Sequence, residues 1–436
     1  MNSDAVAYII RFLLHGNDEL AMRVGYTSDA TQFDRYSVAI VPSRFWDADV
    51  FGTLRAEPAL PLSDVDGVPL LFGVPRVERH GATLVVYADI VASAFFLLSR
   101  YEEWLHPHDL RDVHGRFVGR QSLPARAGFL HRPIVDEYGV LLRRWLCDAG
   151  CVVREPETGF SEIYLTHDVD AIAYYRHLRG FLGGVKRAMF GCTTSLHDVL
   201  RASKALSNDA AYTFPWLLEQ DARVPQAHKL YFIKAAVQSD RLDYPQYRLR
   251  SGDAQQLFDL LRNNGCEFGL HASYFSGAQP AVIPDEQQKL RAVLQQPITA
   301  NRWHYLRTLQ PADFRALLQA GITDDFTMGY ADVAGFRLGT CRAVHWIDAQ
   351  TGAVTPLVLH PLTVMDCTLS SANYMHLSED EAAHYVRSLL ATIRRHHGEA
   401  VLLWHNTIFT NHYPKNYHTT LYPKLIKGFR HYSKNL

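Results

Sequence analysis

No C-x-x-C pair occurs among the six cysteines of this 436-residue chain, which are scattered at Cys147, Cys151, Cys192, Cys266, Cys341 and Cys367. That absence excludes the paired-cysteine zinc and redox motifs and reads as reduced, mostly packed thiols of a cytosolic protein. Cys147 and Cys151 stand four apart on an expected helix, but a metal pair there would need further ligands nearby. Net charge is also missing: the formal value is -1, which excludes a general electrostatic grip on nucleic acid. Long apolar runs are absent. The longest, near Leu84–Leu98, is broken by Asp89 and is too short to cross a bilayer, so no transmembrane segment is expected. The opening stretch, MNSDAVAYIIRFLLHGNDEL, lacks a basic leader and a small-residue cleavage site, so it does not read as a signal peptide and a cytoplasmic protein is expected. No repeat of solenoid period and no low-complexity tract occur. The basic segments Arg176–Arg187 and Lys424–Lys434 read as solvated surface rather than membrane contact.

What is present is the composition of a soluble globular protein, with 47% hydrophobic and 20% charged residues. The length implies two or three domains and a core large enough to fold without a disulfide or metal. Residues 1 to about 155 form a first unit. Tyr36–Val41 and Thr83–Tyr87 read as strands, Asp89–Glu103 and Ile134–Ala149 as helices, the second stopping at Gly150. The polar stretch His106–Arg126 carries His106, His108, Asp109, Asp112, His114 and Arg116, and reads as a solvated, internally bonded loop rather than a metal or sugar site. A boundary falls at Arg154–Gly159. Residues 160–436 then alternate apolar runs (Ile163–Leu165, Leu230–Ile233, Phe268–Leu270, Gly321–Thr323, Ala400–Trp404) with helical stretches such as Ala254–Asn263, Pro311–Ala320 and Glu379–His396. Such alternation implies a parallel α/β sheet or barrel, whose functional groups gather at the carboxyl ends of the strands.

Those ends are therefore the places to look. Ile163–Leu165 runs into Thr166-His167-Asp168-Val169-Asp170. Carboxylates at i and i+2 point the same way on a strand and repel unless a cation or proton lies between them. A metal with one Asp as ligand and the other as base resolves the conflict, and a pair of helix-capping aspartates is the alternative. Phe268–Leu270 runs into His271, a ligand type for zinc, though a lone histidine is commonly just hydrogen-bonded. The stretch after Ile298 presents Arg302, His304 and Arg307, a poor set for a core. His405 follows the apolar run at Ala400.

The ordered series resembles the polysaccharide deacetylase (NodB-homology) family, the fourth carbohydrate esterase family, from about Glu162 to Phe409. Thr166–Asp170 looks like the family's T-F-D-D-G motif with the second acid moved one place along, which implies Asp168 as catalytic base and Asp170 as metal ligand. Lys229–Lys234 looks like a T-F-F-V-type strand. The H-(S/T)-x-x-H motif matches at His271, while Phe275, which cannot bind a metal, occupies the second histidine's position. Arg302-Trp303-His304-Tyr305 is similar to R-x-P-Y, whose Arg orients the catalytic Asp. His304, in place of proline, could supply the missing ligand; His360 or no tight metal are the alternatives. Leu402–His405 looks like the final motif, with His405 as general acid. Gly335–Thr340 resembles a segment of divergent members, where Arg337 would grip the substrate or form a surface ion pair. Ala92–Glu103 and Arg132–Glu137 resemble an uncharacterised domain that precedes deacetylase-like domains.

The resemblance implies an α/β protein, a distorted (β/α) barrel preceded by a smaller N-terminal α/β domain. It implies hydrolysis of an acetyl group, N-acetyl rather than O-acetyl, on an amino sugar or oligosaccharide in polysaccharide metabolism. The divalent metal is expected to be zinc, with cobalt or nickel as alternatives. Asp170, His271 and His304 would hold it, Asp168, Arg302 and His405 would be catalytic, and Arg337, Tyr274 and Trp404 would contact substrate. Two rivals stand beside this reading: a carbohydrate-binding or scaffold protein that has lost the metal, and a hydrolase of another C–N bond in a small metabolite.

Overall fold

The computed structural model describes residues 3–190, 195–238, 240–309, 311–410 and 416–432, with the backbone alone at 312 and 430–432. Cys192 and Lys434 lie outside them. The first 150 residues build a four-stranded sheet from β1 (Val24–Tyr26), β2 (Val38–Ile40), β5 (Gly73–His80) and β6 (Thr83–Ala88), in the order β1-β2-β6-β5, beside a small hairpin of β3 (Ser63–Val65) and β4 (Val68–Leu70). The helices Ser3–Leu13, Ile90–Leu98 and Ile134–Asp148 pack together. All nine residues of Ile90–Leu98 are buried, which is why its sequence is apolar on every side. The expected helix Asp89–Glu103 is two helices, Ile90–Leu98 and Tyr101–Leu105, because Arg100 turns left-handed at φ 58°. The helix at Ile134 ends as expected, with Gly150 at φ 88° beyond it.

The rest of the chain builds a nine-stranded sheet from β7 (Glu162–Val169), β8 (His228–Lys234), β9 (Glu267–Ala272), β10 (Ala300–Trp303), β11 (Asp324–Asp325), β12 (Val344–Ile347), β13 (Val354–Leu359), β14 (Leu362–Met365) and β15 (Glu399–Leu403). Its order is β12-β13-β11-β10-β9-β8-β7-β15-β14. Every pairing is parallel except β12 with β13. Central strands are buried on both faces, so they read as continuous apolar runs and not as alternation. The expected strand Gly321–Thr323 begins only at Asp324.

The barrel expectation is met in part: the architecture is mixed α/β and the sheet curls. The Leu362 amide at the edge strand β14 donates to Met328 O at 3.1 Å, across from the far side of the sheet. Leu230, Phe232, Phe326, Leu362, Val401 and Leu403 share one small core inside the curve. Among the described residues β12 and β14 do not pair, so the curl stays open.

His360, an alternative ligand on sequence grounds, follows β13 and turns its ring to the first residues of β11 and β15, away from Asp168 and Asp170. It bridges Glu399 (2.8 Å) and Asp324 (3.1 Å) and stacks on Phe326. Both nitrogens are thereby engaged, which removes it from the ligand set.

Arg337 is also placed by the fold rather than by a substrate. It forms a bidentate pair with Glu103 at 2.8 and 2.7 Å, buried, and donates to Gly329 O. Arg100 joins the same carboxylate. Burial pushes the Glu103 carboxyl up, but Arg100 and Arg337 outweigh it and hold it far down. The flanking Gly339, at φ 66°, lies so close to Leu97 and Val135 that a Cβ there would stand 2.8 Å from Leu97. The segment Gly335–Thr340 thus serves the junction with the first 150 residues.

Two consequences are measurable. Glu103→Gln leaves two buried guanidinium groups short of a counter-charge and is expected to cost about 3–5 kcal/mol of unfolding free energy, read from urea midpoints. For His360, burial lowers the imidazole pKa, but Asp324 and Glu399 outweigh it and raise it to about 9. The folded value lies above the ordinary ~6.5, so the clamp stabilises fully below that pH and is lost as pH rises through about 9. His360→Gln is expected to cost up to about 3 kcal/mol near pH 6 and much less above pH ~9.5; an equal cost at both would refute the ionised clamp.

Candidate active site

β7 carries Asp168 on the strand and Asp170 just past it, while the intervening positions face the opposite side. His167 packs away, its Nε2 3.0 Å from Asp221 and its Nδ1 donating to Trp404 O. Parallel pairing sets the next residues beside the aspartates. Asp168 is level with Phe232 on β8, Lys234 with His271 on β9, and His271 with Arg302 on β10. His405 follows β15, the neighbour of β7 on the other side.

The two carboxylates have different partners. Arg302 is fully buried and donates from Nη1 to Asp168 Oδ1 at 3.0 Å and from Nε to Phe326 O. Burial lowers its pKa, against the pull of Asp168. Asp170 Oδ1 lies 3.6 Å from His271 Nε2 and 3.4 Å from His304 Nε2. Burial pushes the Asp170 carboxyl up, but His271, His304 and His405 outweigh it and hold it well below the usual range.

Both histidines are oriented from behind. His271 donates from Nδ1 to the backbone carbonyl of Arg302 (2.9 Å), and His304 from Nδ1 to Asp243 Oδ1 (3.1 Å). Each therefore turns Nε2 toward Asp170, the arrangement that a hydrogen-bond acceptor behind the ring imposes on metal-binding imidazoles. Asp243 is itself held by the amides of Tyr274 (2.6 Å) and Phe275 (3.3 Å). Phe275, where the motif's second histidine would stand, thus contributes its backbone to the support of His304.

Asp170 Oδ1 and His271 Nε2 are buried without a hydrogen-bond partner. Unpartnered buried polar atoms cost about 1–3 kcal/mol each, so their convergence needs a reason. The ligand atoms of Asp170, His271 and His304 lie within 4.8 Å of one another. One oxygen and two nitrogens suit zinc or a similar divalent ion with open positions left over. A second cluster, Asp366, Cys367 and His405, fits a metal less well. Asp366 already accepts from His405 N (2.7 Å) and Nδ1 (2.8 Å), and burial raises the Cys367 thiol well above its ordinary pKa, keeping it protonated.

His405 turns Nε2 toward Asp168 Oδ2 (3.8 Å) and Asp170 Oδ2 (4.0 Å). Burial lowers its pKa, but Asp366, Asp170 and Asp168 outweigh it and raise it to about 10. These groups open into a cavity of about 360 Å³ whose wall includes Arg116, Tyr174, Lys234, Tyr244, Tyr305 and Tyr374, a volume within the usual range of small-molecule sites.

Six of the nine expected site residues thus come together: Asp168, Asp170, His271, Arg302, His304 and His405. Three stand outside this cluster. Arg337 is in its ion pair with Glu103. Trp404 is fully buried, its Nε1 donating to His418 Nδ1 at 3.3 Å. Tyr274 is buried, its hydroxyl 3.2 Å from His114 Nδ1. Three residues escaped sequence reasoning. Asp366 directly follows the apolar run Leu362–Met365, so the strand-end rule could have found it. Asp243 lies in a loop with no local signal. Arg116 belongs to the loop read as solvated. It is buried, and besides Asp112 it reaches Tyr305 O and the Tyr374 hydroxyl, both at 3.0 Å.

Comparison with known proteins gives context. Residues 1–150 match a family of unknown function, DUF7033. No curated protein matches the chain. A protein assigned as a polysaccharide deacetylase from Mycobacterium smegmatis aligns over 63% of this chain and 86% of its own, at 14% identity and a TM-score of 0.41. The PuuE allantoinase aligns over 65% of this chain and 89% of its own, at 14% identity and a TM-score of 0.37. Likeness at this level leaves the chemistry to be argued from the residues themselves.

Proposed function

We propose that the chain is a divalent-metal-dependent hydrolase that removes an acetyl group, N-acetyl rather than O-acetyl, from an amino sugar or glycan. The observation that carries this reading is the convergence of Asp170 Oδ1, His271 Nε2 and His304 Nε2 beside a carboxylate with a different partner, Asp168, and an imidazole with its own carboxylate, His405. A bound zinc, cobalt or nickel ion would supply Lewis-acid polarisation of the acetyl carbonyl and of the attacking water. The chain's own groups do the proton work. Asp168, its Oδ1 fixed by Arg302, offers Oδ2 to take the proton of the water. His405, kept as an imidazolium by Asp366 and the two aspartates, offers Nε2–H to the leaving nitrogen. The tyrosines of the wall offer faces for a sugar ring, and Arg116 and Lys234 offer charge. A second reading, hydrolysis of another C–N bond in a small metabolite, is favoured by the modest cavity volume. Acetate release from N-acetylated sugars, against ammonia release from ureido compounds, separates the two.

The metal arrangement is tested by metal analysis and chelator competition. Asp170→Asn and His304→Ala are expected to lose stoichiometric zinc, and Asp243→Asn to bind it ~10–100-fold more weakly. His360→Gln should keep it. Full zinc retention by His304→Ala would remove that residue from the ligand set. With metal bound, Asp168→Asn and His405→Ala are each expected to lower kcat by ~10²–10⁴; unchanged turnover in either variant would refute its assigned role.

A further inference from the structure

The helix Leu178–Met189 packs one side inward. Gly184 faces Tyr175 and Val199 so closely that a Cβ there would stand 2.7 and 2.9 Å from them, and Phe181 and Val185 join the same small cluster. Its other side is apolar too, and nothing among the described residues covers it. Leu178, Leu182 and Met189 are 75%, 58% and 78% exposed and fall on one stripe at helical spacing. Phe190 continues the surface at 76%, and Leu196 and Leu200 of the adjoining helix Leu196–Lys204 are 48% and 44% exposed. Scattered exposed leucines need no explanation, but six large apolar side chains on two packed helices do.

The charge around this surface is mainly positive. From residue 171 to 197 the chain has Arg176, Arg179, Lys186 and Arg187 and no Asp or Glu; the second helix adds Arg201 and Lys204 against one acid, Asp198. Arg176 is engaged by Asp253. Arg179 and Arg187, with Arg241, line a recess of about 690 Å³. That recess shares Tyr174, Tyr244 and Pro245 with the catalytic cavity. A second copy of the chain docking face to face would oppose arginine with arginine. An apolar stripe flanked by Lys and Arg instead matches an anionic lipid surface, apolar side chains entering the headgroup boundary and cations meeting phosphate.

We propose that the helix pair Leu178–Met189 and Leu196–Lys204 docks the protein on an anionic bilayer, with lipid phosphates meeting the Arg179–Arg187–Arg241 recess. No described helix is long and apolar enough to cross a membrane, so the contact is peripheral. On the hydrolase reading this puts the cavity mouth next to glycans carried on that surface. The docking itself stands independently of catalysis.

Flotation of the full chain with lipid vesicles tests it. Vesicles of phosphatidylcholine with about one-third phosphatidylglycerol are expected to carry the protein at least ~10-fold better than phosphatidylcholine alone, less so as salt rises. Arg179→Glu with Arg187→Glu, and separately Leu182→Ser with Phe190→Ser, should each weaken flotation at least ~10-fold without changing the melting temperature. No flotation with anionic vesicles overturns the proposal. So does loss in the charge variant with none in the Leu182/Phe190 variant, because the apolar stripe would then be idle. Absence of flotation together with a monomer shift in the Leu182/Phe190 variant would assign the face to self-association instead.

Discussion

Two carboxylates two residues apart at the end of a parallel strand cannot both stay ionised without separate counter-charges. The site at β7 is arranged around that constraint. Asp168 is met by the guanidinium of Arg302, and Asp170 by the imidazoles of His271 and His304. The division requires β9 and β10 to lie on the same side of β7, one and two strands beyond β8, which is the order of the sheet. Arg302 links the two halves. Its side chain neutralises one carboxylate, and its carbonyl fixes the tautomer of the histidine facing the other. A change at Arg302 would therefore reach both Asp168 and His271.

The first 150 residues are tied to this arrangement by charge as well as by packing. Glu103 holds Arg337, and Asp136 holds Arg342 at 2.7 Å, both pairs buried. Isolated buried pairs add little net stability, but breaking one is costly, which makes such pairs suited to fixing how two surfaces meet. The close approach of Gly339 to Leu97 and Val135 serves the same end. A single continuous apolar core runs through both parts of the chain.

The strands that position the candidate site were readable because parallel strands buried on both faces leave unbroken apolar runs, and the residue after each run is where functional groups gather in such folds. That reasoning reached Asp168, Asp170, His271, Arg302 and His405. It placed the strand of residues 321–323 a few positions early, because β11 is only two residues long and both are aspartates. It missed β12, β13 and β14, which are short or contain a proline. Arg337 was misread because a buried Arg–Glu pair 234 residues apart in sequence leaves no local pattern. Trp404 was expected to contact substrate, yet the alternation that turns His405 toward the aspartates turns Trp404 into the core. Exposure of the stripe at Leu178 was equally hidden, since a helix with two apolar sides reads as buried until one side is found uncovered.

The imidazole of His304 reaches Asp170, and the backbone just beyond it shows how. Immediately after His304 the chain turns left-handed at Tyr305 (φ 63°) and Leu306 (φ 52°). Neither residue favours that region, and each such conformation costs about 1–3 kcal/mol unless its surroundings enforce it. Arg116 enforces it, by donating to Tyr305 O from a loop that belongs to the first 150 residues. Arg307 adds to the restraint, donating to Tyr274 O and His114 O at 2.7 and 2.9 Å. The strained turn then carries His304 to Asp243, whose other partners are the amides of Tyr274 and Phe275. Phe275, whose side chain offers no ligand atom, thus supports the imidazole of His304 through its backbone. The loop His106–Arg126, solvated by composition, becomes part of the geometry around Asp170 through one arginine.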